Sequence, residues 1–169
     1  MRLRVLSTAT VLALATLVAG GTPRANAETV IHAMLRTCPN HTALATLNDD
    51  AARADAANDP GRYAVHRAVA REFEQCSRTN ANPRFREAAK LAYVASMLQS
   101  VNFYAMRNVA DLKKNSTVIR VWQSIADNVA ATTRYPDVKG AATGLGHRVA
   151  YIARELDAKI AQLQSGKKP

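Results

Sequence analysis

The chain has few of the residues on which metal and redox chemistry depends. It holds two cysteines, Cys38 and Cys76, and no Cys-x-x-Cys pair. That excludes covalent haem attachment and leaves neither thiol with a spacing that would lower its pKa. Its four histidines are His32, His41, His66 and His147, with no His-x-x-x-His and no Glu-x-x-His. A carboxylate-bridged di-metal bundle needs paired motifs of the latter kind, so no metal and no cofactor is expected. No stretch alternates β-branched residues with a period of two, which argues against strands. Without a strand ahead of them, Gly140, Gly144 and Gly146 do not make a dinucleotide-binding loop; close helix approach or a loosened helix start explains them better. Glu72 and Glu74, two apart on a helix, point in different directions and cannot act as a paired acid and base. Spacing nominates no Ser, Thr or carboxylate set either, so no catalytic residue is assigned.

Long apolar runs are missing too. Beyond the first 27 residues, the longest uncharged stretch is 91–106, LAYVASMLQSVNFYAM, bracketed by Lys90 and Arg107. It is shorter than the roughly 20 residues of a membrane span and includes Ser96, Gln99, Ser100 and Asn102. Its place is inside a folded domain. Leu91, Val94, Leu98, Val101, Ala105 and Leu112 recur at helical spacings and predict the core seam of one central helix. Ala88, Ala92 and Ala95 give that helix a second, small-residue side against which a neighbour can pack closely.

The first 27 residues have the form of a secretory signal peptide. Arg2 and Arg4 precede an apolar region, and Gly20, Gly21 and Pro23 interrupt it before Ala25-Asn26-Ala27. Cleavage after Ala27 would deliver a secreted or periplasmic protein of 142 residues. Arg2, Arg4 and Arg24 leave with the segment and no acid does, so the net charge falls from +10 to +7. In an oxidising compartment the two cysteines are expected to form a Cys38–Cys76 disulfide, the one intramolecular pairing available.

The rest reads as helices separated by cap chemistry. A short helical segment should precede Pro39, and a second helix, from a cap at Asn40 or Thr42 to about Asn58, has only Leu44 and Leu47 as large apolar residues. Asp59-Pro60-Gly61 restarts the chain with Asp as N-cap and Pro at the first helical position, leading to a helix with Val65, Val69, Phe73 and Cys76 on one face. Asn82-Pro83 repeats that chemistry for the central helix, predicted to reach about Lys113. Asn115-Ser116-Thr117 is read as the next turn and cap, followed by a helix on Val118, Val121, Trp122, Ile125 and Val129. The last helix follows Leu145, Val149, Ile152, Leu156, Ile160 and Leu163, its proper start placed near Gly146. The expected fold is all-α: an antiparallel bundle of four main helices with one or two short N-terminal ones, stapled by one disulfide. Residues 28–164 form the domain, and 165–169 a basic, disordered tail. The signature positions of tetratricopeptide repeats are not met.

For function, the most suggestive feature is a run of cations: Arg67, Arg71, Arg78, Arg84, Arg86 and Lys90, with Glu74 and Glu87 among them. It could contact an anionic envelope polymer or an acidic protein, while an ordinary solvated helix face is the plainer explanation. Nucleic acid is disfavoured, since no helix-turn-helix or aromatic platform is present. A second reading is a small-molecule or haem carrier with a pocket between helices, for which His66, Tyr93, Tyr104 and His147 are the candidate contacts. The plainer role for His66 and His147 is that of a satisfied or partly exposed histidine. A third is a secreted helical enzyme whose site is assembled from distant residues. Asn40-His41-Thr42 and Asn115-Ser116-Thr117 also fit the glycosylation pattern, though capping explains them equally well.

Overall fold

Five helices are joined by short links in the computed structural model, which describes residues 34–103 and 105–165. Residues 1–33, which include the expected signal peptide and His32, lie outside the described residues, as do Tyr104 and 166–169 of the expected tail. The helices are α1 (His41–Ala56), α2 (Arg62–Thr79), α3 (Pro83–Gln99), α4 (Val109–Thr132) and α5 (Pro136–Gln164), with a helical turn at 34–37 ahead of them. The described residues contain no strand. The fold is the expected all-α bundle.

The turn at 34–37 leads into Cys38, whose Cα lies 5.2 Å from that of Cys76 near the end of α2, bridged as expected. Both cysteines are buried with Met34, Leu44, Val69 and Phe73 in one of two apolar cores. α1 contributes little to it, burying only Leu44, Asn48 and Ala51. Asn40 stands at the head of α1 but makes no side-chain cap. Its amide instead donates across the interface to the Glu72 carbonyl at 3.0 Å and to the Glu72 carboxylate. α1 gives way to Asn58 in the left-handed region, φ 50°, a conformation asparagine tolerates. The Asp59 carboxylate then accepts from the Gly61 amide at 2.6 Å. This tight turn displaces the start of α2 to Arg62, two residues beyond the expected Pro60.

α2 buries His66, Val69, Ala70, Phe73 and Cys76. Asn80 closes it and ties the next turn together, donating to the Thr37 hydroxyl and accepting from the Asn82 amide, both at 2.9 Å. The Asn82 side chain caps α3 by accepting from the Arg84 amide at 3.0 Å, with Pro83 at the first helical position as predicted. α3 is buried on two sides. Ala89 and Ala92 join the α1–α2 core, whereas Leu91, Val94 and Leu98 join a second core with α4 and α5. The two groups leave the helix on different arcs at 100° per residue, so α3 is the wall shared by both cores.

The central helix is shorter than the spacing predicts. α3 stops at Gln99, where the Ser100 hydroxyl donates to the Met97 carbonyl at 2.8 Å, and 101–103 and 105–108 are not helical. The Asn108 side chain then accepts from the Ala110 amide at 2.8 Å and starts α4. Leu112 belongs to α4, whose core face is Leu112, Ser116, Ile119, Trp122, Ala126 and Val129. The turn expected at Asn115-Ser116-Thr117 is therefore a stretch of helix. Asn115 and Thr117 donate back to the Asp111 and Lys113 carbonyls at 2.8 and 3.2 Å, a local alternative to capping open to these side chains. Ser116 turns inward and donates to Asp157 of α5 at 2.9 Å. With this register Trp122 is buried, but Val121, expected on the seam, is 56% exposed.

α5 also departs from expectation by starting at Pro136 and passing through all three glycines. Its 29 residues span about 43 Å. Gly146 is buried against α4, where a Cβ would lie 2.7 Å from Asp127 Oδ1 and 4.0 Å from the Ala126 side chain. Close helix approach is thus the use of this glycine. Arg84–Asp137 at 2.8 Å and Arg120–Asp157 at 2.6 Å link α3 and α4 to α5. No helix among the described residues is long and apolar enough to cross a membrane.

Candidate functional site

The early end of α3 leaves a concavity beside α5. α5 continues alongside the chain where α3 has stopped, leaving a half-open groove of about 460 Å³, within the size range of small-molecule sites. One wall is Leu98 at the end of α3 with Val101 and Phe103 of the following loop; the other is the C-terminal half of α5. Along α5 the lining residues Arg148, Ile152, Glu155, Lys159 and Gln162 follow one another at steps of four, three, four and three, which sets them in a single stripe. The stripe is about 21 Å long at helical rise. Leu98, Val101, Phe103, Ile152 and Leu156 supply an apolar surface, and Tyr151, 54% exposed, stands at its edge.

Charge is unevenly placed on this surface. Arg148 and Glu155 are exposed, whereas Lys159 is half-buried. The Lys159 ammonium donates to the Phe103 carbonyl at 3.3 Å, which holds it against the loop wall. Burial, and then the positive charge of Arg107, hold its pKa below the ordinary lysine range, as expected where the charged form loses water and faces a like charge.

The residues nominated from the sequence lie elsewhere. His66 is 4% exposed, and its Nε2 sits 3.0 Å from both oxygens of Asp55, joining α2 to α1. The nitrogen that would have to face a haem iron is turned to a carboxylate, so His66 is a satisfied core histidine. Tyr93 packs half-buried between the two cores. His147 is exposed beside the groove but is not part of its lining. None of these three lines the groove, and Tyr104 is outside the described residues. Among the described residues no three His, Cys, Asp or Glu side chains are grouped to hold a metal.

The six cations do not share one face. Arg67, Arg71 and Arg78 lie within about 40° of one another on the outward side of α2, all exposed, with Arg78 paired to Glu74 at 2.6 Å. Arg84 is directed to Asp137. Arg86 and Lys90 leave α3 about 200° and 240° away from Arg84. The groove residues were missed in the sequence because Arg148, Glu155 and Lys159 read as a solvated helix face; the one available signal was the regular stripe holding Ile152 among them. The chain matches no family model, no curated protein and no solved structure.

Proposed function

We propose that the protein is a secreted or periplasmic, non-enzymatic helical domain that binds a small amphiphilic molecule in the groove between 101–103 and α5. The observation that carries this reading is the groove itself, with an apolar surface of side chains from three segments and a polar edge. Sites of this composition take ligands by burying apolar surface, while a few polar groups fix orientation. Export is supported by the form of residues 1–27 and by the bridged cysteines, which suit an oxidising compartment. Titration of the mature protein with the neutral dye N-phenylnaphthylamine tests the site. Saturable fluorescence enhancement is expected, and Ala158→Trp, at an exposed lining position, should abolish it by filling the groove while the melting temperature stays within about 2 °C of wild type. Unchanged dye binding in that variant would sink the assignment.

A second reading keeps the α2 arc as a surface for an anionic polymer or an acidic protein, favoured by the exposure of Arg67, Arg71 and Arg78 on a common side. Retention on an anionic matrix should then fall more when these three are changed to Ser than when Lys113, Lys114 and Lys139 are. Equal losses would reduce the effect to net charge.

A further inference from the structure

Resting on the groove reading, we propose that the ligand is a free single-chain amphiphile with one anionic head group. Lys159 is its head-group contact, and the tail lies over Leu98, Val101, Ile152 and Leu156. Three observations converge on this. The α5 wall of the groove is a single stripe from Arg148 to Gln162, about 21 Å at helical rise, and a linear chain can follow such a stripe. The groove's apolar lining side chains come from α3, the loop and α5 together, so a tail laid there loses water along most of its length. Of the three charged lining residues, Arg148 and Glu155 are exposed, and only Lys159 is half-buried, its ammonium donating to the Phe103 carbonyl at 3.3 Å within the field of Arg107.

The depressed lysine pKa agrees with that placement. A cation that has lost water and faces a second cation gains more from an incoming anion than a fully hydrated one does, because the attraction acts through less water. Arg148, exposed at the far end of the stripe, is a weaker attractor for the same reason. Glu155 lies one turn from Lys159 and adds negative charge midway along the groove, which disfavours a second anionic group on the ligand. The site therefore calls for one negative end and an apolar body.

Displacement of N-phenylnaphthylamine from the oxidised mature protein tests the inference, using dodecanoate, dodecanol and dodecyltrimethylammonium below their aggregation concentrations. Dodecanoate should displace the dye at a concentration at least about tenfold lower than dodecanol, a difference of 1.4 kcal/mol, and the cationic amphiphile should be weakest. Lys159→Met should erase the preference for dodecanoate while dodecanol is unaffected, and Lys159→Arg should retain most of it. Equal displacement by dodecanoate and dodecanol in the wild-type protein would overturn the anionic assignment and leave the groove reading standing. Failure of all three amphiphiles to displace a dye that Ala158→Trp excludes would overturn the single-chain ligand and leave the groove as a binding site, whereas dye binding unchanged in Ala158→Trp would overturn both. Sedimentation with anionic phospholipid vesicles that is lost in Lys159→Met, without displacement by dodecanoate, would overturn the free-ligand assignment in favour of a membrane surface.

Discussion

Replacing two glycines of α5 by alanine separates helix propensity from packing at neighbouring sites. Gly140 is exposed inside the helix, and a Cβ there would meet nothing within 4 Å. Glycine in a helix interior costs about 0.8 to 1.0 kcal/mol relative to alanine, so Gly140→Ala should stabilise the protein by nearly that amount. For a domain of this size the melting temperature should rise by roughly 3 to 5 °C. Gly146→Ala has the same propensity gain but sets a Cβ 2.7 Å from Asp127 Oδ1. Asp127 is exposed and can turn away, at a cost of about 0.5 to 1.5 kcal/mol for an off-rotamer side chain. The two effects nearly cancel, and the net change should lie within about 0.7 kcal/mol of zero. Thermal unfolding of the oxidised protein followed by far-ultraviolet circular dichroism, with urea titrations for the free energies, measures both. A destabilised or unchanged Gly140→Ala would refute the continuity of α5 through residue 140, and a gain at 146 as large as that at 140 would refute the close approach of α4.

Further outcomes follow from the core, the bridge and the groove. Leu112→Ala removes a side chain of 0% exposure from α4 and should cost about 2 to 5 kcal/mol in urea unfolding; a near-neutral result would contradict the placement of Leu112 inside the core. Cys38→Ser with Cys76→Ser should lower stability by about 3 to 4 kcal/mol through the freed loop of 38 residues, and mass analysis of the parent should show a chain two hydrogens lighter than its reduced form. Two free thiols in the purified parent would refute the bridge. Dodecanoate affinity should fall as pH rises through the lowered range of Lys159, since the ligand stays ionised while the ammonium loses its proton. The neutral dye should bind equally across that range, and an affinity for dodecanoate that is flat in pH would remove Lys159 from the head-group site.

What the sequence made legible was local chemistry. Asn82-Pro83 starts α3 through a cap that depends on residues next to one another, and Cys76 shares a face with Val69 and Phe73 because all three belong to one helix. The break after Gln99 was hidden for a definite reason. Leu98 and Leu112 are fourteen residues apart, a separation that continues a helical seam, yet they reach the same core from two helices with a loop between them. Ser100 and Asn108 held the contrary signal as a stop and a cap. Asn115-Ser116-Thr117 gave the opposite error, since its polar side chains can satisfy carbonyls inside a helix as well as amides at its start. Of the groove, only the stripe along α5 was legible. The groove itself depends on where α3 ends relative to α5, and no spacing within α5 reports that.

The pairing of helices with their neighbours in sequence bears on how the chain assembles. α1 packs on α2, α2 on α3, and α4 on α5, with fewer contacts from α3 to the last two. Contacts of short separation require only small loops to close and form early on the folding timescale. In the folded chain the antiparallel packing of α1 on α2 sets Cys38, just ahead of α1, beside Cys76, near the end of α2. The bridge thus ties together the open end of a hairpin, holding in place a helix that buries few side chains of its own.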